Sequence, residues 1–165
     1  MQRQRRGGRV GGEFLLRYWP EGSDPETDEP SRVARAKNSL TNAGGVRILD
    51  KLIGSAGTVL SNANAYVGVG DSNAVTTPTM TDLQASTNKF RKGMDATYPK
   101  YDSGDAQAML WRMTLASGEG NYALKEVGLF DAASAGNMIA RAVVDFGTKS
   151  GGTLEITYRL RMPSS

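Results

Sequence analysis

The sequence predicts a mainly β fold, an antiparallel β-sandwich with one N-terminal helix, preceded by an extended arm. Residues 153–162 alternate between apolar and polar side chains, which indicates a strand with one buried face. Five more strand-like runs are separated by turn-rich segments: residues 65–70, 90–98, 106–115, 122–130 and 138–146. Because no helices alternate with these strands, antiparallel sheets are favoured over a parallel βαβ fold.

Composition limits the classes of protein to consider. At 165 residues the chain has the length of one ordinary domain. Its 20 glycines and its modest hydrophobic fraction of 39% are typical of a turn-rich β architecture. Cysteine and histidine are both missing, which removes disulfides, thiolate nucleophiles and the most common general base. We therefore expect a non-enzymatic protein without a metal or cofactor.

One helix is predicted at the start of the β-rich part. Thr41 or Asn42 can cap its first turn, and Gly54 can end it after Ile53. Apolar side chains recur at helical spacing on one face, which consists of Val46, Leu49, Leu52 and Ile53. We expect this helix to pack against the sandwich.

Residues 1–37 differ in character from residues 38–165, which form the predicted β-rich domain. A basic tip without an acidic partner comes first and contains Arg3, Arg5, Arg6 and Arg9. An apolar segment follows and contains Phe14, Leu15, Leu16, Tyr18 and Trp19. Residues 21–30 then carry five acidic side chains among prolines, and such a stretch cannot form a core. We therefore predict an extended arm over residues 1–37.

The apolar segment of this arm, residues 14–19, has two interpretations. It forms either a strand or tether on its own domain, or a hook that inserts into a neighbouring subunit. The hook is favoured because an aromatic cluster without a partner would be a liability in a soluble monomer. In that case the arm carries much of the function.

The net charge of +3 raises the question of nucleic-acid binding through the basic tip. Residues 1–37 contain eight Lys or Arg against six Asp or Glu, and residues 38–165 contain twelve against eleven. The two parts therefore carry +2 and +1, so the body is nearly neutral. This distribution argues against a nucleic-acid binder, for which a concentrated basic face is typical.

The remaining polar residues form no recognisable catalytic pattern. The run GVGDSN at 68–73 lacks the Lys-Ser/Thr of a phosphate-binding loop, so a strand ending in a Gly-Asp turn is favoured. Asp102 and Asp105 lack the spacing of an EF-hand calcium site. Glu126 lies among apolar residues. We expect it to be half-buried and hydrogen-bonded to a turn, since an unpaired buried carboxylate is costly.

Four segments occur in an order and spacing found in a known family. They read NSLTNAGGVRILDKLIG, NANAYVGVGDSN, TDLQA and KEVGLFDAASAGNMIARAVV. Over about residues 38–163 the chain thereby resembles the virion-attachment domain of phage tail-collar and tail-fibre proteins. The two motifs of that family fall here on Gly68, Gly70 and Asp71, then on Glu126, Gly128, Phe130 and Asp131.

The resemblance implies a small β-rich domain that docks on the particle and has no catalytic residues. It implies other virion proteins as partners and a homo-oligomer, often a trimer in such assemblies. Fibre proteins usually continue into a shaft and a receptor-binding tip, so a chain ending at Ser165 is expected to be an adaptor or fibre-attachment subunit of the tail or collar. We expect synthesis in the host cytoplasm and location in the virion. No apolar run approaches the about 20 residues of a membrane span.

Three other functions are alternatives to this assembly role. A capsid decoration protein would dock on the shell instead of the tail. The basic tip would contact DNA in a nucleic-acid binder. Glycan binding or cleavage would use Tyr98, Tyr101 and Trp111, although core packing explains Trp111 more simply.

Overall fold

The computed structural model describes residues 11–55 and 57–162. Within these residues the chain forms ten β-strands and one α-helix. Their bounds are β1 Gly11–Trp19, β2 Arg32–Lys37, β3 Ser39–Leu40, α1 Asn42–Leu52, β4 Tyr66–Gly70, β5 Lys89–Gly93, β6 Lys100–Asp102, β7 Asp105–Leu115, β8 Ala123–Phe130, β9 Met138–Thr148 and β10 Thr153–Arg161.

The strands form two five-stranded antiparallel sheets. The first sheet has the strand order β2-β1-β10-β7-β6, and the second has the order β3-β9-β8-β4-β5. Buried side chains from both sheets belong to one hydrophobic core, as expected for sheets that pack face to face. The predicted mainly β fold with an antiparallel sandwich is therefore confirmed.

Aromatic side chains of the first sheet lie in this core. The ring of Tyr158 is 4.7 Å from that of Phe14 and 5.7 Å from that of Trp111, measured between centroids. Trp111 donates its indole N–H to the carbonyl of Leu60 at 3.1 Å, and the Tyr158 hydroxyl accepts from Asn38. Because Trp111 is only 4% exposed, it is a core residue and cannot stack on a sugar.

The structure corrects the prediction of an extended arm for residues 11–37. Strand β1 lies between β2 and β10 in the first sheet, and Leu16 is paired with Ile156 of β10. Four side chains of the apolar segment are buried: Phe14, Leu16, Tyr18 and Trp19. The hook interpretation is wrong for this segment, and the boundary at residue 38 does not separate two domains.

The alternation within β1 explains why it joins the sheet. Phe14 and Leu16 point into the core, whereas Leu15 and Arg17 lie on the opposite face, as the period of a strand requires. The acidic stretch forms the exposed connection between β1 and β2, so the expectation that it stays outside the core is confirmed. The basic tip of Arg3, Arg5, Arg6 and Arg9 lies outside the described residues.

The predicted strand over residues 90–98 extends well beyond the end of the observed strand. Strand β5 ends at Gly93, and the amide of Asp95 donates to the carbonyl of Arg112 in the first sheet. The chain therefore leaves the second sheet after Gly93 and crosses the edge of the sandwich. Thr97 has a φ of 71°, which is incompatible with a continuing strand.

Helix α1 has the predicted ends, but its apolar face points away from the sandwich instead of toward it. The Thr41 hydroxyl caps it by accepting from the amide of Gly44 at 3.0 Å, and Gly54 follows the last turn with a φ of +68°. A Cβ on Gly44 would lie 2.0 Å from the carbonyl oxygen of Ile139, so the helix touches β9 through a glycine. The predicted apolar face, Val46, Leu49, Leu52 and Ile53, points to solvent.

The role of β1 in the core predicts that alanine substitutions of two neighbouring leucines will have very different effects on the free energy of unfolding. Replacing Leu16, which is fully buried, by alanine should lower the free energy of unfolding by about 2–5 kcal/mol because it leaves a cavity. Leu15→Ala on the outer face is the matched control and should cost less than about 1.5 kcal/mol. Urea unfolding measures both. Equal effects would mean that β1 does not pack as described.

Candidate functional site

The motif residues of the sequence meet on one surface, the outer face of the second sheet. Val67 and Val69 of β4 point into the core, so Gly68 and Gly70 lie on the opposite face. Gly68 is paired with Gly128 of β8. We call this surface, made by Gly68, Gly70 and Gly128, the glycine face.

The glycine face is covered closely by other parts of the chain. A Cβ on Gly68 would lie 3.0–3.1 Å from side-chain atoms of Arg91, Phe130 and Leu83. A Cβ on Gly70 would lie 2.5 Å from Oε1 of Glu126 and 3.0 Å from the Cβ of Ala85. A Cβ at Gly70 would force Glu126 to move, and a Cβ at either position would crowd Leu83 or Ala85, so the glycines help residues 71–88 to approach the sheet.

Glu126 is the residue that holds this cover in place. Its Oε2 accepts from the amide of Gln84 at 2.9 Å, and its Oε1 accepts from the amide of Ala85 at 2.7 Å. Glu126 was predicted to be hydrogen-bonded to a turn; the hydrogen bonds are present, but Gln84 and Ala85 lie in an irregular segment instead of a turn. Burial goes further than predicted, since the side chain has no exposed surface.

Arg141 of β9 is the partner of Glu126, and the sequence reasoning missed it. Its Nε donates to Oε2 of Glu126 at 2.8 Å, and its Nη1 donates to the carbonyl of Ala74 and the hydroxyl of Thr76. Arg141 is also fully buried. A single arginine inside the apolar run MIARAVV, close to a buried glutamate on the adjacent strand, was the available signal.

The other motif residues are structural as well. Asp71 accepts from the side chain of Asn88 at 2.8 Å, which ties the two ends of the cover together. Phe130 is fully buried and lies beneath the guanidinium of Arg91, 3.5 Å from the ring centroid. The strand was expected to end in a Gly-Asp turn; β4 does end at Gly70, and a bend follows at Asp71.

Asp131 closes the connection between β8 and β9. It accepts from the amide and the side chain of Asn137 at 2.7 and 2.9 Å, and from Arg47 of α1 at 2.9 Å. Burial alone would raise its pKa, but the hydrogen bonds from Asn137 and the charge of Arg47 hold the pKa below its usual value. Asp131 thus fixes both a turn and the helix.

The outer face of the first sheet carries charges that are already paired. The ion pairs are Arg17 with Glu155, Arg35 with Glu13, Arg112 with Asp95 and Glu155, Arg159 with Asp102 and Asp105, and Arg161 with Asp105. Asp102 and Asp105 therefore form ion pairs with Arg159 and Arg161. No group of three or more acidic residues suited to a metal ion occurs in the described part of the chain.

The aromatic residues considered for glycans do not form a platform. Tyr98 is 8% exposed, and its ring lies between Arg112 and Lys100 at 4.5 and 4.6 Å. Tyr101 is 70% exposed, whereas Tyr98 and Trp111 are both buried. The structure therefore gives no support for sugar stacking by these residues.

The exposed face of α1 is the most unusual surface among the described residues. Its four apolar side chains are exposed to 57% for Val46, 61% for Leu49, 72% for Leu52 and 79% for Ile53. Single exposed apolar residues are normal, but a contiguous apolar stripe on a helix is typical of a surface that contacts a partner. We call these four residues the helix stripe.

Comparisons with protein-family models, with curated proteins and with solved structures found no match to this chain. Within residues 11–55 and 57–162, no helix combines the length and the apolarity that a membrane crossing requires. The helix stripe and the covered glycine face are therefore interpreted from their own geometry.

The buried ion pair predicts a large penalty for removing one charge. Glu126→Gln leaves Arg141 buried without a counter-charge, so the free energy of unfolding should fall by about 3–5 kcal/mol. Glu13→Gln breaks the exposed pair with Arg35 and should cost less than about 1 kcal/mol. Chemical denaturation of both variants is the measurement. Similar losses in the two would contradict the assignment of Glu126 as the anchor of residues 71–88.

The lowered pKa of Asp131 predicts a loss of stability in acid. A carboxyl whose folded pKa lies below its unfolded value stabilises the fold above the unfolded pKa, and this contribution disappears as pH falls through the folded pKa. The wild type should therefore lose stability between about pH 5 and pH 2, and Asp131→Asn should lose less over that range. Urea midpoints at each pH test this. Parallel curves for the two proteins would refute it.

Proposed function

We propose that this protein is a non-enzymatic structural subunit of a tailed-phage particle, an adaptor or fibre-attachment subunit of the tail or collar. The observation that carries the proposal is the helix stripe, which leaves four large apolar side chains exposed on one face of α1. The order and spacing of the sequence motifs support the same class of protein. The docking surface is the helix and not the N-terminal segment.

The helix stripe has the properties of a docking surface. Burying an exposed leucine or isoleucine contributes about 1.5–3 kcal/mol, so four such side chains supply a substantial part of a binding free energy. Part of this gain offsets the loss of translational and rotational freedom on association. A partner with an apolar groove would therefore gain most from contacting the stripe.

Helix α1 is fixed before any partner arrives. The Thr41 cap, the contact of Gly44 with β9 and the ion pair between Arg47 and Asp131 hold its N-terminal half at three points. A surface that is already ordered loses less conformational entropy on binding. This rigidity suits a subunit that locates other components.

The paired charges of the first sheet favour a protein partner over a nucleic acid. A phosphate-binding face needs arginines that can exchange counterions for phosphates. Here Arg17, Arg112 and Arg159 are each bonded to a carboxylate of the same sheet or of an adjoining loop. Their charges are compensated within the described residues.

The proposal is tested by placing a charge in the helix stripe. In the full chain, Leu49→Lys should lower incorporation into particles by at least about tenfold, since about 1.4 kcal/mol of binding free energy corresponds to that factor. Val75→Lys is the control, because Val75 is 82% exposed but lies outside the helix. Quantitative immunoblotting of purified particles gives the occupancy, and thermal unfolding checks the fold.

Separated tails and capsids extend the same experiment. Recovery of the protein with tails supports the tail or collar adaptor, whereas recovery with capsids identifies a decoration protein instead. Absence from both fractions, or normal incorporation of Leu49→Lys, would contradict docking through the helix stripe.

A further inference from the structure

Lys149, at the start of the turn between β9 and β10, is a buried amine. Its side chain has no exposed surface. Its Nζ donates to the carbonyls of Ala116 at 2.9 Å, Ser117 at 3.4 Å and Gly151 at 3.0 Å, and to Oδ1 of Asn121 at 3.0 Å. No carboxylate among the described residues forms an ion pair with it, which is unusual for a buried lysine.

The carboxamide of Asn121 is held in a fixed orientation beside this amine. Its Nδ2 donates to the carbonyl of Ser117 at 2.8 Å, and its Oδ1 accepts from the amide of Gly151 at 3.2 Å as well as from Lys149. The amine is therefore hydrogen-bonded to the oxygen that is attached to the amide carbon Cγ. The Gly151 N–H is placed where a donor would stabilise negative charge on Oδ1.

The surroundings raise the reactivity of the amine. Burial lowers the pKa of Lys149, and the charge of Glu119 opposes part of this shift. A lowered pKa increases the neutral fraction of a lysine, and the neutral amine is the nucleophile. Asn121 is exposed on its other side, so a leaving group from its amide can escape to water.

We propose that Lys149 and Asn121 form an intramolecular isopeptide bond in the folded protein. Nζ of Lys149 attacks Cγ of Asn121, the Nζ–Cγ bond forms, and the Cγ–Nδ2 bond breaks. Lys149 first gives one proton to solvent, and after the attack a second Nζ proton passes to Nδ2, which leaves as ammonia and takes up a proton from water. The overall change converts an ammonium and a carboxamide into a secondary amide and an ammonium ion, so no oxidant or cofactor is needed.

Two further groups influence this reaction. The amide of Gly151 stabilises the negative charge that develops on Oδ1 of Asn121. Glu119, whose carboxylate accepts from the amide of Ala116, raises the pKa of Lys149 and therefore opposes the loss of its proton. Glu119 is a positioning residue in this scheme, because it does not contact the reacting atoms.

The bond would tie the connection between β7 and β8 to the turn between β9 and β10. A covalent link between distant residues limits the unfolded chain and stabilises the fold, as disulfides do. This chain has no cysteine, so an isopeptide bond would supply a cross-link that does not depend on redox conditions. The inference stands independently of the proposed function.

Intact-mass spectrometry of the purified full chain tests the proposal directly. The folded wild type should be lighter than its sequence mass by one ammonia, and the cross-linked fraction should rise with time and with pH, because the neutral amine is required. Digestion should release a branched peptide that joins Lys149 to Asn121. A protein that keeps its full sequence mass after prolonged incubation at pH 9 would overturn the proposal.

Variants separate this reaction from other losses of ammonia. Lys149→Arg and Asn121→Ala should both retain the full mass, whereas Lys125→Arg, at an exposed lysine, should react like the wild type. Glu119→Gln removes a negative charge that raises the pKa of Lys149, so the pH profile of the reaction should shift to lower pH. Ammonia loss that persists in Lys149→Arg would come from succinimide formation at Asn121 and would overturn the isopeptide assignment.

Discussion

The buried ion pair between Glu126 and Arg141 is the interaction on which the second sheet depends. Two charges without exposed surface are costly unless every lone pair and proton finds a partner. Glu126 meets this requirement with two backbone amides, and Arg141 meets most of it with a carbonyl and a hydroxyl, all from residues 71–88. Nη2 of Arg141 makes no hydrogen bond within the described residues, but it lies 2.8 Å from Oε2 of Glu126. The hydrogen bonds to the ion pair hold the long connection between β4 and β5 in one conformation. In return, the same hydrogen bonds offset the cost of burying the two charges.

This arrangement gives the second sheet two buried faces. Antiparallel sheets commonly bury one face and expose the other, which produces alternation in the sequence. Strand β8 is instead buried at every position from 126 to 130, and strand β9 at every position from 138 to 142. Gly68 and Gly70 let Leu83 and Ala85 of the cover lie close to the sheet, and Gly128 leaves room for the ring of Phe130. The motif residues are thus explained by close packing, without any catalytic role.

The sequence predicted the elements whose signals are local, and it missed those that depend on distant partners. The alternation of β10 and the capping of α1 by Thr41 are readable from adjacent residues. The hydrogen-bonded role of Glu126 was also predictable, because a carboxylate among apolar residues requires donors. Strand β1 was misjudged since the flanking arginines and acidic residues dominated the composition of residues 1–37. Its own alternation of Phe14, Leu16 and Tyr18 was the better guide.

The orientation of α1 shows why periodicity alone cannot identify a buried face. The spacing of Val46, Leu49 and Ile53 establishes that an apolar face exists, but a helix packs where its backbone can approach most closely. Gly44 allows that approach to β9, and the ion pair of Arg47 with Asp131 fixes the rotation about the helix axis. With the polar and glycine side turned inward, the apolar side must face outward. The exposed stripe is therefore a consequence of how the helix is anchored. The free energy gained by burying its apolar side chains is available for binding a partner.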